Sequence, residues 1–243
     1  MAHGTPDWGV TSGAQTIFQV ADLGEAVARL GALSVFDRGG DVVFQDDFSG
    51  GLAAWSSVLF GLGAAVQLTA AEVRSGLLAA KLTGGSDSYR WGGIVHVEGP
   101  QENARIGIEC FFHPDAAIGS FEIWLQVYDG TTMTQYRLVY DDANNRLQYV
   151  DGTDTLTTFA TPVSLGTAGV LFHGAKLVID ADAGEYLRFR LNKDVYSLAG
   201  AAAYSSAAPN APQFYVLLLC TSRSGQNDSV IVDSVIITQN EPA

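Results

Sequence analysis

The sequence predicts an all-β protein: a two-sheet antiparallel sandwich of jelly-roll type, preceded by a short N-terminal arm and helix. Three observations carry this reading. From about residue 42 to 239, short apolar or alternating runs follow one another, separated by Gly, Asn, Asp, Ser and Pro clusters. Four of them pair as two hairpins, RLVYDDANNRLQYV turning at 142–145 and KLVIDADAGEYLRFRL turning at 182–184. The composition, 47% apolar and 16% charged over 243 residues, supplies a large core and excludes a disordered chain.

Residues 1–41 differ in kind from residues 42–243, which form one domain. MAHGTPDWGVTSGAQ is turn-rich and reads as an extended arm. In IFQVADLGEAVARLG, Val20, Leu23, Val27 and Leu30 share one face of a short helix, with Asp22 and Glu25 near its start and Gly31 as its stop. LSVFDRGGDVVF reads as two strand halves around Gly39–Gly40. The helix either packs on its own domain or docks on another subunit. Trp8, Ile17, Phe18, Val20, Leu23, Val27 and Leu30 form an apolar stripe outside the sandwich pattern, and a stripe of that size is usual at interaction sites. The expectation is a homo-oligomer, such as a closed trimer, with Trp8, Phe18, Leu23, Val27 and Leu30 at the contact.

The net charge of −13 argues against a nucleic-acid partner and against an anionic membrane, both of which need clustered Lys and Arg. The first residues lack a basic and an apolar signal region, so the chain is expected to be made in a cytoplasm. FYVLLLC, the longest apolar run, has the length of a buried strand and is too short to span a bilayer. Cys110 and Cys220 sit in strand-like runs and read as buried free thiols.

Alternation shows which faces meet. In FEIWLQVY, Phe121, Ile123, Leu125 and Val127 point one way and Glu122, Trp124, Gln126 and Tyr128 the other. In QYRLVYD the polar side carries Gln135, Arg137 and Asp141; in EYLRFRLN it carries Tyr186, Arg188, Arg190 and Asn192. AGAAAYSSAAPNAP, residues 199–212, reads as a loop. The solvated faces mix Trp and Tyr with Arg and Gln, a combination suited to stacking and hydrogen bonding to a polar ligand.

DDFSGGLAAW, EVRSGLLAAKLT and NDSVIVDSVIIT together resemble the opening strand, Ser-Gly turn and closing strand of concanavalin A-like and carbohydrate-binding-module jelly rolls. FHGAKLVIDADAGEYLRFRLNKDVYSL is similar to the central meander of laminin-G-type domains. The N-terminal MAHGTPDWG, the helix and FDRGGDVVFQDDF resemble bacteriophage and prophage proteins in which an arm precedes a lectin-like jelly roll. That resemblance implies a non-enzymatic virion component, a capsid decoration or tail-associated protein, with other virion proteins and itself as partners and the jelly roll displayed outward. The alternative is a carbohydrate-binding module that recognises a surface polysaccharide.

The residues support no catalytic site. A glycosidase needs two carboxylates facing one cleft, about 5–5.5 Å apart for retention and roughly 6.5–9.5 Å for inversion. The β-glucanases of this fold use a Glu-x-Asp-x-x-Glu strand, and here Glu122 is followed by Trp124 and Gln126. Asp46 and Asp47 are adjacent, so a strand sends them to opposite faces. The four histidines lie in separate segments, and His113 and His173 read as packed beside their phenylalanines. The resemblance implies a structural calcium on Asp47 and Asp233, with main-chain carbonyls near Ser75; the other reading has these acids capping strands and pairing with Arg74 or Arg38. The sugar platform would be Trp124, Tyr128, Arg137, Arg188 and Arg190, its rival reading a face covered by a neighbouring subunit. Trp91 fits either role.

Overall fold

The structure is a computed structural model that describes residues 39–87, 90–100, 105–166 and 171–242. The arm, the helix, the first half of the Gly39–Gly40 hairpin and the oligomer-contact residues Trp8, Phe18, Leu23, Val27 and Leu30 lie outside the described residues.

Among the described residues the chain is all strand, apart from one 3-10 turn at Asp142–Asn144. Sheet A contains β1 (Asp41–Asp46), β3 (Ala65–Thr69), β4 (Ala79–Thr83), β6 (Arg105–Pro114), β11 (His173–Asp180), β12 (Glu185–Leu191), β13 (Asp194–Ala202) and β16 (Ser229–Gln239). Its order is β13-β12-β11-β6-β16-β4-β3, with β1 also along β16. Sheet B contains β2 (Ser56–Phe60), β5 (Trp91–Glu98), β7 (Ser120–Tyr128), β8 (Thr132–Asp141), β9 (Arg146–Val150), β10 (Leu156–Ala160), β14 (Tyr204–Ala207) and β15 (Gln213–Thr221). Its order is β10-β9-β8-β7-β15-β5-β2, with β14 on β8. Every pairing is antiparallel, as expected of a fold made from hairpins and Greek-key returns.

The core is the meeting of the two inner faces. Ile106, Ile108, Cys110 and Phe112 of β6 meet Phe121, Ile123 and Leu125 of β7, and Phe112 stacks on Phe121 at 4.3 Å. The segment FQDDFSGGLAAW is what closes one end. Phe48 and Trp55 are buried there, Phe44 packs edge-on to Trp55, and Asp46 accepts hydrogen bonds from the Phe48 amide and the Trp55 indole. Gly51, at φ 85°, makes the tight turn that lets both aromatics fold back. Both cysteines are free and buried, and burial pushes the Cys220 thiol up to about 12.

Two expectations are corrected. Residues 199–212 are mostly strand: β13 runs to Ala202 and β14 follows at once, in register with β8 from Tyr204↔Gln135 to Ala207↔Thr132. Alanine and serine show no period-two contrast, so the pairing was invisible in the pattern. Tyr186 does not share the polar face of β12. A bulge against β11 shifts the register between Tyr186 and Arg188, leaving Leu187 as the extra residue there and turning Tyr186 into the core.

Candidate functional site: the outer face of sheet B

Strand alternation and register assemble this face. β7 sends Glu122, Trp124, Gln126 and Tyr128 outward, and β8 sends Arg137 and Gln135 out beside Trp124 and Gln126. On the other flank, β15 places Thr221 beside Ser120 and Tyr215 beside Gln126, and β5 places Trp91 beside Thr221. The face therefore has two aromatic clusters along β7. Phe60, Trp91 and Trp124 form one, with ring centroids 5.0 and 5.9 Å apart; Tyr128 and Tyr215 form the other, edge-to-face at 5.3 Å.

Glu122 organises the first cluster. Its side chain is 6% exposed, yet it lies on the solvent side of the sheet. It accepts from Arg137 Nε at 2.8 Å, Trp124 Nε1 at 2.8 Å, Ser120 Oγ at 3.0 Å and Thr221 Oγ1 at 3.2 Å. Four donors satisfy a carboxylate that would otherwise be costly to bury. They also set the indole and the guanidinium, whose carbon sits 4.6 Å from the Trp124 ring centroid, while both side chains stay half-buried and reachable. In the second cluster, Gln126 donates to Gln135 at 3.1 Å and accepts from the Tyr128 hydroxyl at 3.4 Å. Burial, and then Tyr215, hold the Tyr128 phenol above its usual range, so it stays a neutral donor.

The predicted platform is split. Trp124, Tyr128 and Arg137 share this face, but Arg188 and Arg190 belong to β12 in the other sheet. There Arg188 binds Glu241 at 2.9 Å and the Pro242 carbonyl at 2.6 Å, and Arg190 binds the Asn192 carbonyl at 2.9 Å. The pattern of each strand shows an outward side without showing which sheet owns it. Glu122, Trp91, Ser120, Thr221 and Tyr215 complete the site; the Ser-x-Glu-x-Trp alternation in β7 is the signal that points to Ser120, Glu122 and Trp124 as one hydrogen-bonded group.

The calcium set does not fit. Asp233 is fully buried, and its oxygens are occupied by the Arg74 amide at 2.7 Å, the Ser75 amide at 3.1 Å and the Ser234 hydroxyl at 2.9 Å. It anchors the 74–75 turn to β16 at the bulge where Ser234 has φ 55°. Asp47 caps its own turn through the Ser49 amide, and Ser49 holds its carboxyl below the usual range. No group of three or more His, Cys, Asp or Glu among the described residues is arranged around a metal. His113 and His173 are buried against the carbonyls of Leu171 and Gly166.

The sequence matches no family model, and no curated protein matches it. Solved structures do match. The cellulose-induced protein Cip1 is 17% identical with a TM-score of 0.57, over 80% of this chain and 96% of that one. A carbohydrate esterase from Shiga toxin-encoding bacteriophage phi24B is 15% identical with a TM-score of 0.52, over 84% and 100%. An endo-1,3-β-glucanase from Streptomyces sioyaensis is 13% identical with a TM-score of 0.50, over 84% and 98%. At these identities the likeness is one of architecture. The chain has the concanavalin A-like jelly-roll fold.

Proposed function

We propose that the outer face of sheet B binds a carbohydrate chain without cleaving it. The observation that carries this is the buried Glu122 holding Trp124 and Arg137 in place on the solvent side of the sheet. A sugar ring stacks on an indole face while its hydroxyls meet fixed donors and acceptors, and holding those groups beforehand lowers the entropy lost on binding. The Tyr128–Tyr215 pair and Gln126–Gln135 lie four residues further along β7, on the order of 13 Å at strand rise, which spans more than one sugar unit. The matched esterase and glucanase act on carbohydrates, and this chain shares their fold.

Binding is favoured over hydrolysis because the oxygens of Glu122 are taken up by four donors. The other acid on this face, Asp141, binds Arg146 and Asn144. Neither presents an open pair of carboxylates to a glycosidic bond. The rival reading, a virion structural protein with no glycan ligand, is supported by the sequence resemblance of the N-terminal segment alone. Titrating the full chain with a panel of neutral and acidic polysaccharides tests the proposal. Saturable binding that is lost in Trp124→Ala supports it; silence across the panel, or sugar release, overturns it.

A further inference from the structure

The charges on the outer face of sheet B cancel. Among the described residues, the acidic and basic side chains that its strands send outward are Glu122, Arg137, Asp141 and Arg146. His96 and Glu98 of β5 bind each other, and they stand opposite Val216 and Phe214 in the core-facing row. Each outward base is bound to an outward acid: Arg137 to Glu122 and Arg146 to Asp141, both through Nε at 2.8 Å. The outward side chains therefore sum to zero charge, although the whole chain carries −13.

The first pair is hard to open. Glu122 stands between Leu219 of β15 and Val139 of β8, outward-facing residues that are only 1% and 4% exposed. Drawing Arg137 toward another anion would leave the Glu122 charge without its counter-ion in an apolar setting, which is costly. The other polar groups of the face, Gln126, Gln135, Tyr128 and Thr221, are neutral amides and hydroxyls that both donate and accept. Sugar hydroxyls do both as well, whereas a carboxylate or sulfate only accepts. The turns at one end add negative charge. Asp129 between β7 and β8 and Asp151 between β9 and β10 are held below the usual carboxylate range by hydrogen bonds, led by the Thr132 and Thr153 hydroxyls.

We propose that the ligand of this face is an uncharged polysaccharide, and that Glu122 and Asp141 set this preference by neutralising Arg137 and Arg146, an inference that rests on the outer face of sheet B being the glycan site. A carboxylated or sulfated chain meets two guanidinium groups that already have carboxylate partners, and the acids of the surrounding surface repel it. A neutral chain meets neither obstacle, and its binding is insensitive to screening by salt. The preference is a penalty against the charged ligand, not an added attraction for the neutral one.

Titration of the full chain with matched polymers tests this: hydroxyethyl cellulose against carboxymethyl cellulose, a soluble β-1,3-glucan against its carboxymethylated form, and dextran against dextran sulfate. The neutral member of a bound pair is expected to bind at least about tenfold tighter, with less than about a twofold change between about 0.05 and 0.5 M NaCl. Glu122→Gln keeps an acceptor and removes the charge, so it should raise the anionic-to-neutral affinity ratio by about threefold or more. Circular dichroism checks its fold, and Asp141→Asn, with the same expected direction, serves if it unfolds. Tighter binding of an anionic member that is lost in Trp124→Ala, or a ratio unmoved in the folded variant, overturns the neutral-ligand inference and leaves the outer-face site standing. Binding of no member overturns the outer-face reading, and the neutral-ligand inference falls with it.

Discussion

Arg137 and Glu122 sit on neighbouring strands of sheet B, joined by a 2.8 Å hydrogen bond from Nε, and neither is placed where a bare salt bridge would be useful. Glu122 is nearly inaccessible and Arg137 retains 26% exposure. The pair acts as a fixture: the buried carboxylate holds the guanidinium and the Trp124 indole, and the held groups face solvent.

Glu122→Ala removes the acceptor shared by Arg137, Trp124, Ser120 and Thr221. The expected cost is roughly 2–4 kcal/mol of folding stability, since several half-buried donors lose their partner at once. Urea unfolding measures it. A loss within experimental error would mean water replaces the carboxylate and the fixture has no structural weight.

Tyr186 links the two sheets. Its hydroxyl accepts from the Arg137 amide at 2.8 Å and donates to the Val150 carbonyl at 2.9 Å. The β8–β9 ladder ends at Leu138↔Tyr149 and the β14–β8 ladder at Tyr204↔Gln135, so the hydroxyl satisfies backbone between them. Tyr186→Phe is expected to cost about 1–3 kcal/mol, with faster hydrogen exchange at the Arg137 amide. Unchanged exchange there would contradict this role.

The C-terminal end is clasped to sheet A through Glu241, whose side chain is fully buried against Lys176 at 2.7 Å and Arg188 at 2.9 Å. Glu241→Ala strands the buried Lys176 ammonium and should cost about 3–5 kcal/mol. Pairing it with Lys176→Met should recover much of that loss. Additive losses in the double variant would show that the two side chains do not act as a pair.

Alkaline pH should destabilise the fold. Burial raises the Cys220 thiol from its ordinary 9.0 to about 12, and raises Cys110, Tyr136, Tyr140 and Tyr186 in the same direction. A group held protonated in the folded state contributes its full stability below the unfolded value. That contribution is lost as pH climbs from about 9 through the folded value. The urea midpoint, measured in reductant, should be flat between about pH 7 and 8.5 and fall steadily above about pH 9. A midpoint constant to about pH 11 would show that these groups ionise without unfolding.

Long alternating strands such as FEIWLQVY and QYRLVYD were legible because one face is apolar at every second residue, and the two hairpins because Asn145 and Gly184 take left-handed conformations at their turns. β13 and β14 were not legible, since pairing there is carried by backbone with small side chains. Tyr186 escaped because a single bulged residue inverts every later face assignment. Arg188 and Arg190 looked like partners of Trp124 because alternation separates outside from inside but cannot choose between two outsides. Glu122 was visible as a carboxylate that fails a catalytic pattern; its donors come from three strands, so its positioning role appears only when the sheet is assembled.

Calorimetric titration of a bound polysaccharide against the wild-type chain, Trp124→Ala and Arg190→Ala decides whether the outer face of sheet B is the binding site. Trp124 lies on the outer face of sheet B and Arg190 on the other sheet. Trp124→Ala is expected to lower affinity at least tenfold, about 1.4 kcal/mol, and Arg190→Ala to bind like wild type. Full affinity in Trp124→Ala, or loss of binding in Arg190→Ala, would contradict this placement.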